Sequence, residues 1–206
     1  MSFFFLSLAL WDPLSPNLLL DLAKSESLQD WPVRPQNPDT ETGIGLILEF
    51  LREDPAEKAD ELRIDFTRLF TGPGSSLAPP YESVYLGREK ILFEAPTFDV
   101  RNIYRKFHLR IRSLNKIPDD HISCELAFLS EICSRFSDVS NNEASDSADA
   151  LRSFLESHIL LWSDMFIDRV MEHARSDFYQ GIALLLRGTL KAFSFYIEKN
   201  IQPGCL

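Results

Sequence analysis

The chain lacks the paired cysteines of a disulfide-stabilised protein. It has three in 206 residues, Cys124, Cys133 and Cys205, and an odd number without paired spacing is no disulfide framework. Cys124 and Cys133 are nine residues apart on one helical pattern, so their side chains are too distant to form a bridge. We therefore expect reduced thiols and a cytoplasmic protein.

Basic residues are also scarce. Lys and Arg number 21 against 31 Asp and Glu, which gives a formal net charge of −10. Because nucleic-acid backbones are bound through Lys and Arg, this balance argues against a nucleic-acid partner. It favours a basic partner through electrostatic steering, although an acidic surface can equally serve only to keep a protein soluble.

Catalytic and metal-binding motifs are missing. The sequence contains no glycine-rich phosphate loop, no nucleophile motif and no metal triad. His121 and Glu125 are spaced i, i+4 on a helical pattern, but such a pair needs further ligands to hold a metal. We therefore predict that the protein is not an enzyme and binds no metal.

The apolar start of the chain is too short to span a bilayer. Residues 2–10 are nearly all apolar, but they lack the preceding Lys or Arg and the following cleavage site of a signal peptide. We interpret this stretch as a first core helix and expect no membrane-spanning segment.

Glycine is rare and phenylalanine is common, with eight and sixteen residues. Apolar residues recur at helical spacing, as at Leu62, Phe66, Leu69 and Phe70, and no segment alternates with a period of two. The composition, 45% hydrophobic and 12% aromatic, is typical of a globular protein. We predict an all-α fold, a single globular helical domain of roughly nine to twelve helices.

Three segments are predicted to be irregular. Residues 31–43 contain three prolines and a glycine, and residues 137–149 are rich in Ser, Asn and Asp and should form a surface connection that becomes helical only near its end. Residues 71–96 are predicted to be mostly loop. A loop of that length is unusual in a compact domain and often marks function.

This long loop carries the stretch from Ala78 through Pro79, Pro80 and Tyr81 to Tyr85. Two prolines hold the backbone extended, and aromatic and acidic side chains on such a loop are typical of a docking surface. Both tyrosines could instead fill the core. A second segment, residues 117–129, places aspartate and histidine at the start of a predicted helix, where an aspartate could simply act as a cap.

The two segments together resemble the TorD/DmsD/NarJ family of redox-enzyme maturation chaperones, most closely the TorD and DmsD branches. The matching residues are Leu69, Phe70, Pro79 to Tyr85, Pro118, Asp120, His121, Glu125, Leu126, His158, Trp162, Phe166, Phe178 and Tyr179. The resemblance covers residues 45–200. It departs at Ile117, where the family often has an acid.

The resemblance implies a cytoplasmic chaperone for a molybdopterin oxidoreductase of the dimethyl-sulfoxide or trimethylamine-oxide reductase type. Such a chaperone binds the twin-arginine signal peptide, and sometimes the body, of the apo-enzyme and delays export until the cofactor is inserted. The resemblance also implies an N-terminal lobe, 1–116, and a C-terminal lobe, 117–206, joined by a hinge near 115–120. The protein would be a monomer or a domain-swapped dimer.

Two other functions remain open from the sequence. One is a nucleotide-binding or hydrolysing protein, since weak guanine-nucleotide binding has been proposed within the family; no other cofactor is expected. The other is a NarJ-like assembly scaffold for a membrane oxidoreductase.

The candidate signal-peptide site consists of Pro80, Tyr81, Glu82, Ser83, Tyr85, Pro118, Asp120, His121 and Glu125. The carboxylates of Asp120 and Glu82 can accept an arginine fork, and the two tyrosines can stack on arginine or hold an apolar segment. His121 would make binding pH-sensitive, because the ordinary pKa of histidine is about 6.5. We expect Arg68 to pair with a nearby acid rather than to bind the peptide.

Overall fold

The computed structural model describes residues 2–32, 37–72, 76–111, 116–138 and 141–200. Their helices are α1 (Ser2–Trp11), α2 (Pro16–Lys24), α3 (Pro38–Phe50), α4 (Pro55–Phe66), α5 (Glu82–Leu86), α6 (Ala95–Lys106), α7 (Ile122–Asp138), α8 (Asn141–Phe154), α9 (Leu160–His173) and α10 (Asp177–Asn200). Two π-helical turns, Thr67–Thr71 and Leu155–Ile159, follow α4 and α8. These ranges contain no β-strand, so the predicted all-α class is confirmed.

The core is built from helices of both halves of the chain. Helix α3 packs along α10, and α1 packs along α7. Leu6 and Ile47 from the first half, together with Phe166 and Leu185 from the second, belong to one buried cluster. The two lobes proposed from the sequence stay a prediction, and their helices share this core.

The crossing of α3 and α10 depends on two glycines. A Cβ at Gly43 would lie 2.7 Å from the carbonyl oxygen of Gly181, and a Cβ at Gly181 would lie 2.7 Å from that of Gly43. A side chain at either position would therefore force the two backbones apart. The predicted loop over residues 31–43 is wrong from residue 38 onward, because Asn37 caps α3 and Pro38 begins it.

The connection predicted over residues 137–149 is wrong as well, because α8 begins at Asn141. Residues 139–140 lie outside the described residues. Polar residues of this kind favour helices only weakly, but Leu151 and Phe154 at the other end of α8 are buried and the helix packs on α7. Tertiary contacts therefore outweigh the local propensity.

The apolar start of the chain forms α1, as predicted. Phe3, Leu6 and Leu10 are buried, whereas Phe4 and Trp11 on the same helix are exposed. Within the part of the chain that the structure describes, no helix has the length and hydropathy needed to cross a membrane.

Candidate functional site

The two segments singled out in the sequence lie side by side. Tyr81 and His121 form an isolated antiparallel bridge. It is closed by two backbone hydrogen bonds, from the N–H of Glu82 to the carbonyl oxygen of Asp120 (3.0 Å) and from the N–H of Ile122 to the carbonyl oxygen of Pro80 (2.9 Å). The predicted loop is thus fixed to the start of α7, and α5 forms directly after the bridge.

Asp120 holds this arrangement through its side chain. One carboxylate oxygen accepts from the N–H of Ser83 (2.7 Å) and the other from the hydroxyl of Thr97 (2.7 Å). The residue is 0% exposed. Asp120 therefore caps the first turn of α5, not its own helix, and also binds the first turn of α6. The predicted contact with a peptide arginine stays a prediction, and it would require these bonds to open.

The other two carboxylates of the candidate site are also engaged inside the protein. Glu82 lies 3.0 Å from Nδ1 of His158, and Glu125 accepts from the indole N–H of Trp162 at 3.3 Å. Burial raises the pKa of Glu125 well above its ordinary value, and the nearby Glu82 and Asp120 raise it further. His158 and Trp162, noted in the sequence only through the resemblance, are therefore the internal partners of these acids.

A further buried ion pair lies next to the bridge, and sequence reasoning missed it. The guanidinium of Arg101 donates twice to one carboxylate oxygen of Asp119, at 2.9 and 2.7 Å. The Tyr104 hydroxyl donates to the Asp119 carbonyl oxygen (3.2 Å). Helical spacing places the arginine on the buried face of α6, but no local signal identifies its partner 18 residues away.

The ring of His121 is the middle one of three neighbouring rings, those of Tyr81, His121 and Trp11, which are called the ring row below. Its ring centroid lies 5.0 Å from that of Tyr81 and 5.4 Å from that of Trp11, both edge-on. Its Nδ1 accepts from the N–H of Ser123 (3.1 Å), which leaves the proton on Nε2. Burial lowers the pKa of His121 to about 3, so the ring is neutral at physiological pH. A pH-sensitive role of His121 near neutral pH would require the ring to become exposed, and it stays a prediction.

Among the nine candidate residues, Tyr81 and Tyr85 keep partly exposed surface, and the other seven are buried. The ring of Tyr85 lies 5.4 Å from that of Trp162. Burial, and secondly the charge of Asp120, raise the pKa of the Tyr81 hydroxyl. A peptide bound to the surface seen here would meet these tyrosines before any of the buried acids.

A cavity of about 690 Å³ opens beside the ring row, between α1, α7 and residues 109–111. Its walls are mainly apolar and include Phe4, Trp11, Leu109, Ile111, Ala127 and Phe128. Phe4 is 56% and Trp11 42% exposed, so the cavity is open along α1. Its volume is in the usual range of ligand sites. Sequence reasoning missed the contribution of α1, because periodicity alone does not show which apolar face stays uncovered.

The structure also shows the positions of two cysteines and the predicted ion pair of Arg68. Cys124 and Cys133 form no disulfide, and burial raises their pKa values to about 12 and about 11. Cys205 lies outside the described residues. Arg68 pairs with Asp65 at 2.8 Å, as predicted. Among the described residues, no group of three or more His, Cys, Asp or Glu is placed to hold a metal.

Residues 36–168 match the family model described as the nitrate reductase delta subunit, which covers the TorD, DmsD and NarJ proteins. The chain belongs to this family. The chaperone protein TorD of Aliivibrio fischeri is 30% identical over 162 residues, which are 76% of this chain and 74% of that protein. The Tat proofreading chaperone DmsD of Salmonella typhimurium is 32% identical over 126 residues, 60% of this chain and 55% of that protein.

The match to the DmsD proteins spans less than two thirds of their length. A solved structure from Archaeoglobus fulgidus, described as a redox enzyme maturation protein, superimposes with a TM-score of 0.51. It is 22% identical, and the match covers 96% of this chain and 92% of that one. This likeness shows that the two chains share a fold over nearly their whole length.

Proposed function

We propose that this protein is a cytoplasmic chaperone that binds the twin-arginine signal peptide of a molybdopterin oxidoreductase. It would delay export until the cofactor is inserted, and a client of the dimethyl-sulfoxide or trimethylamine-oxide reductase type fits the TorD and DmsD relatives. The observation that carries the proposal is the ring row of Trp11, His121 and Tyr81, which joins the two family segments to an open apolar cavity.

The apolar part of a signal peptide is assigned to this cavity. Phe4 and Trp11 on one side and Ala127 and Phe128 on the other offer apolar surface to an apolar segment. Burying one large apolar side chain contributes about 1.5–3 kcal/mol, so two or three such contacts supply most of a micromolar affinity of about 8 kcal/mol.

The arginine pair is assigned to the rim of the cavity and not to the buried acids. Glu131 lies in the wall, and Asp12 follows Trp11 directly; both acids are exposed. The partly exposed ring of Tyr81 offers a face to a guanidinium. The net charge of −10 adds long-range attraction for a basic peptide.

Calorimetric titration with a synthetic twin-arginine signal peptide tests the proposal. Binding should weaken as salt rises, because the screening length falls to about 8 Å at physiological ionic strength. It should also weaken when lysines replace the two arginines, because lysine lacks the planar fork.

Two exposed phenylalanines give a matched pair of variants. Phe4 and Phe195 are both 56% exposed, but Phe4 lines the cavity and Phe195 lies on α10. Phe4→Ala should weaken binding about tenfold, and Phe195→Ala should leave it unchanged. Failure of the unmodified chain to bind any twin-arginine peptide would contradict the proposal.

A second candidate is the assembly scaffold suggested by the description of the family as the nitrate reductase delta subunit. A scaffold would bind the folded body of its client even when the signal peptide is removed. Co-purification with a client that lacks its signal peptide, together with no binding of the isolated signal peptide, would identify the scaffold. Guanine-nucleotide binding stays a prediction of the resemblance, and no residue of this site is assigned to it.

A further inference from the structure

One segment of this acidic chain contains no acid at all. Residues 100–118 include six Lys or Arg and no Asp or Glu. With 31 acids in 206 residues, a stretch of this length would carry about three at the average frequency. The segment covers most of α6 and leads to Pro118, so the chain has a local excess of positive charge next to the ring row.

A second cavity, of about 370 Å³, opens on this segment, and it shares Tyr104, Leu109 and Arg110 with the apolar cavity described above. Its lining includes Arg101, Arg105, His108 and Arg110, and Asp119 is the one acid in the lining. Arg101 neutralises that acid through the two hydrogen bonds described above. The positive charges that remain belong to the other two arginines.

Arg105 and Arg110 are exposed and have no carboxylate within 4.0 Å among the described side chains. Most other arginines of the described chain are paired; Arg63 and Arg187, for example, each contact an aspartate. Two guanidinium groups therefore line one cavity, and neither forms an ion pair with a carboxylate of the described residues.

The turn at the end of α6 brings these two arginines to the same cavity. His108 adopts a left-handed conformation with φ of 57°. Its N–H donates to the carbonyl oxygen of Arg105 (3.0 Å), and the N–H of Leu109 donates to that of Tyr104 (2.9 Å). This αL cap ends the helix, and Arg105 before it and Arg110 after it line the same cavity. The favourable position of a cation at a helix C-terminus explains Arg105, but not Arg110, which lies beyond the helix.

We propose that this cavity is a second binding site, which takes a phosphate-bearing ligand and holds its phosphoryl group between Arg105 and Arg110. Two uncompensated single positive charges match a dianion better than a lone carboxylate. The planar guanidinium fork also donates two parallel hydrogen bonds to phosphate oxygens. The source of the phosphate, a soluble molecule or a lipid headgroup, is left to the experiment.

Titration of the full chain with inorganic pyrophosphate tests the site, with acetate as a monovalent carboxylate probe. We expect saturable pyrophosphate binding, and acetate binding at least about tenfold weaker. Arg105→Gln and Arg110→Gln should each weaken pyrophosphate binding by about tenfold or more. Arg63→Gln, at an exposed arginine of α4, is the matched control and should change nothing. Circular dichroism confirms that each variant is folded.

Vesicles of phosphatidylcholine with and without phosphatidic acid distinguish the two sources of phosphate. Pyrophosphate binding that depends on both arginines supports a soluble ligand. Binding only to the anionic vesicles, lost in the same two variants, supports a headgroup. If no phosphate probe binds, or if Arg63→Gln weakens binding as much as the cavity variants, the proposed site is overturned.

Discussion

Replacing Asp120 shows whether this carboxylate holds the two segments together or contacts the peptide. Its oxygens accept from the Ser83 N–H and the Thr97 hydroxyl, both at 2.7 Å, and the residue is fully buried. In Asp120→Asn, the amide oxygen can still accept from Ser83, and the amide nitrogen can donate to Thr97. The shape and number of hydrogen bonds are kept, and only the charge is lost.

The expected magnitudes follow from those bonds. Hydrogen bonds to a charged group contribute about 1.5–3 kcal/mol and neutral ones about 0.5–1.5, so Asp120→Asn should lower the free energy of unfolding by about 2 kcal/mol. Asp120→Ala leaves a buried N–H and a buried hydroxyl without partners, which should cost about 4 kcal/mol. For a domain of this size the melting temperature falls by about 2–4 °C per kcal/mol.

Urea unfolding and peptide calorimetry on the same preparations provide the assay. We expect Asp120→Asn to lower stability while peptide affinity per folded molecule changes by less than about threefold. Asp12→Asn, at an exposed acid beside Trp11, should show the reverse pattern. Unchanged stability together with a tenfold loss of affinity in Asp120→Asn would refute this reasoning and place the carboxylate in contact with the peptide.

Three further outcomes follow from the core and the cavity wall. The pKa of Glu125 is raised from 4.5, so the favourable contribution of this residue to folding is complete below pH 4.5 and is lost as the pH rises. Glu125→Gln should therefore be as stable as the wild type near pH 4 and more stable than the wild type at pH 8. Equal urea midpoints of the two proteins at both pH values would contradict this. Gly43→Ala should lower the melting temperature, because its Cβ would lie 2.7 Å from the Gly181 carbonyl oxygen. Gly45→Ala meets open space and should stabilise α3 by about 0.5–1 kcal/mol. An unchanged melting temperature in Gly43→Ala would contradict the close crossing of α3 and α10. Burial raises the pKa of Cys124 from 9.0 to about 12, so its alkylation at pH 8, followed by mass spectrometry, should be roughly a thousandfold slower than in the unfolded chain, and rapid labelling would show that the site opens.

The helical class could be predicted from periodicity, but the start of α3 was not predicted, although the sequence carries a signal for it. Asn37 and Pro38 form the same start signal as Ser15 and Pro16, which does begin α2. The signal was missed because nearby prolines and Gly43 look like breakers. That glycine serves the approach of a helix far along the chain, and a close approach of this kind has no local sequence signature.

The sequence indicated which residues lie near one another at the candidate site, but not that most of them are buried. The two segments lie side by side, but that they bind a peptide together stays a prediction. The acids looked available to a basic peptide because a sequence does not show which residue satisfies a carboxylate. The partner of Glu82 is His158, 76 residues away, and that of Glu125 is Trp162, 37 residues away. Such distant pairs are fixed only when the helices pack.

The contacts that join the two halves of the chain have a consequence for assembly. The packing of α1 on α7, the packing of α3 on α10, the Tyr81–His121 bridge and the Glu82–His158 pair each join a residue before position 111 to one after position 116. If two copies exchanged everything after position 116, each of these contacts would form between subunits, and each binding site would contain residues of both chains. A Tyr81→Ala chain and a Glu131→Gln chain, each weakened in peptide binding when alone, would then form a mixed dimer in which one of the two sites is fully wild type. Recovery of peptide binding on co-refolding would therefore report the exchanged dimer, whereas monomers mixed in the same way would stay defective.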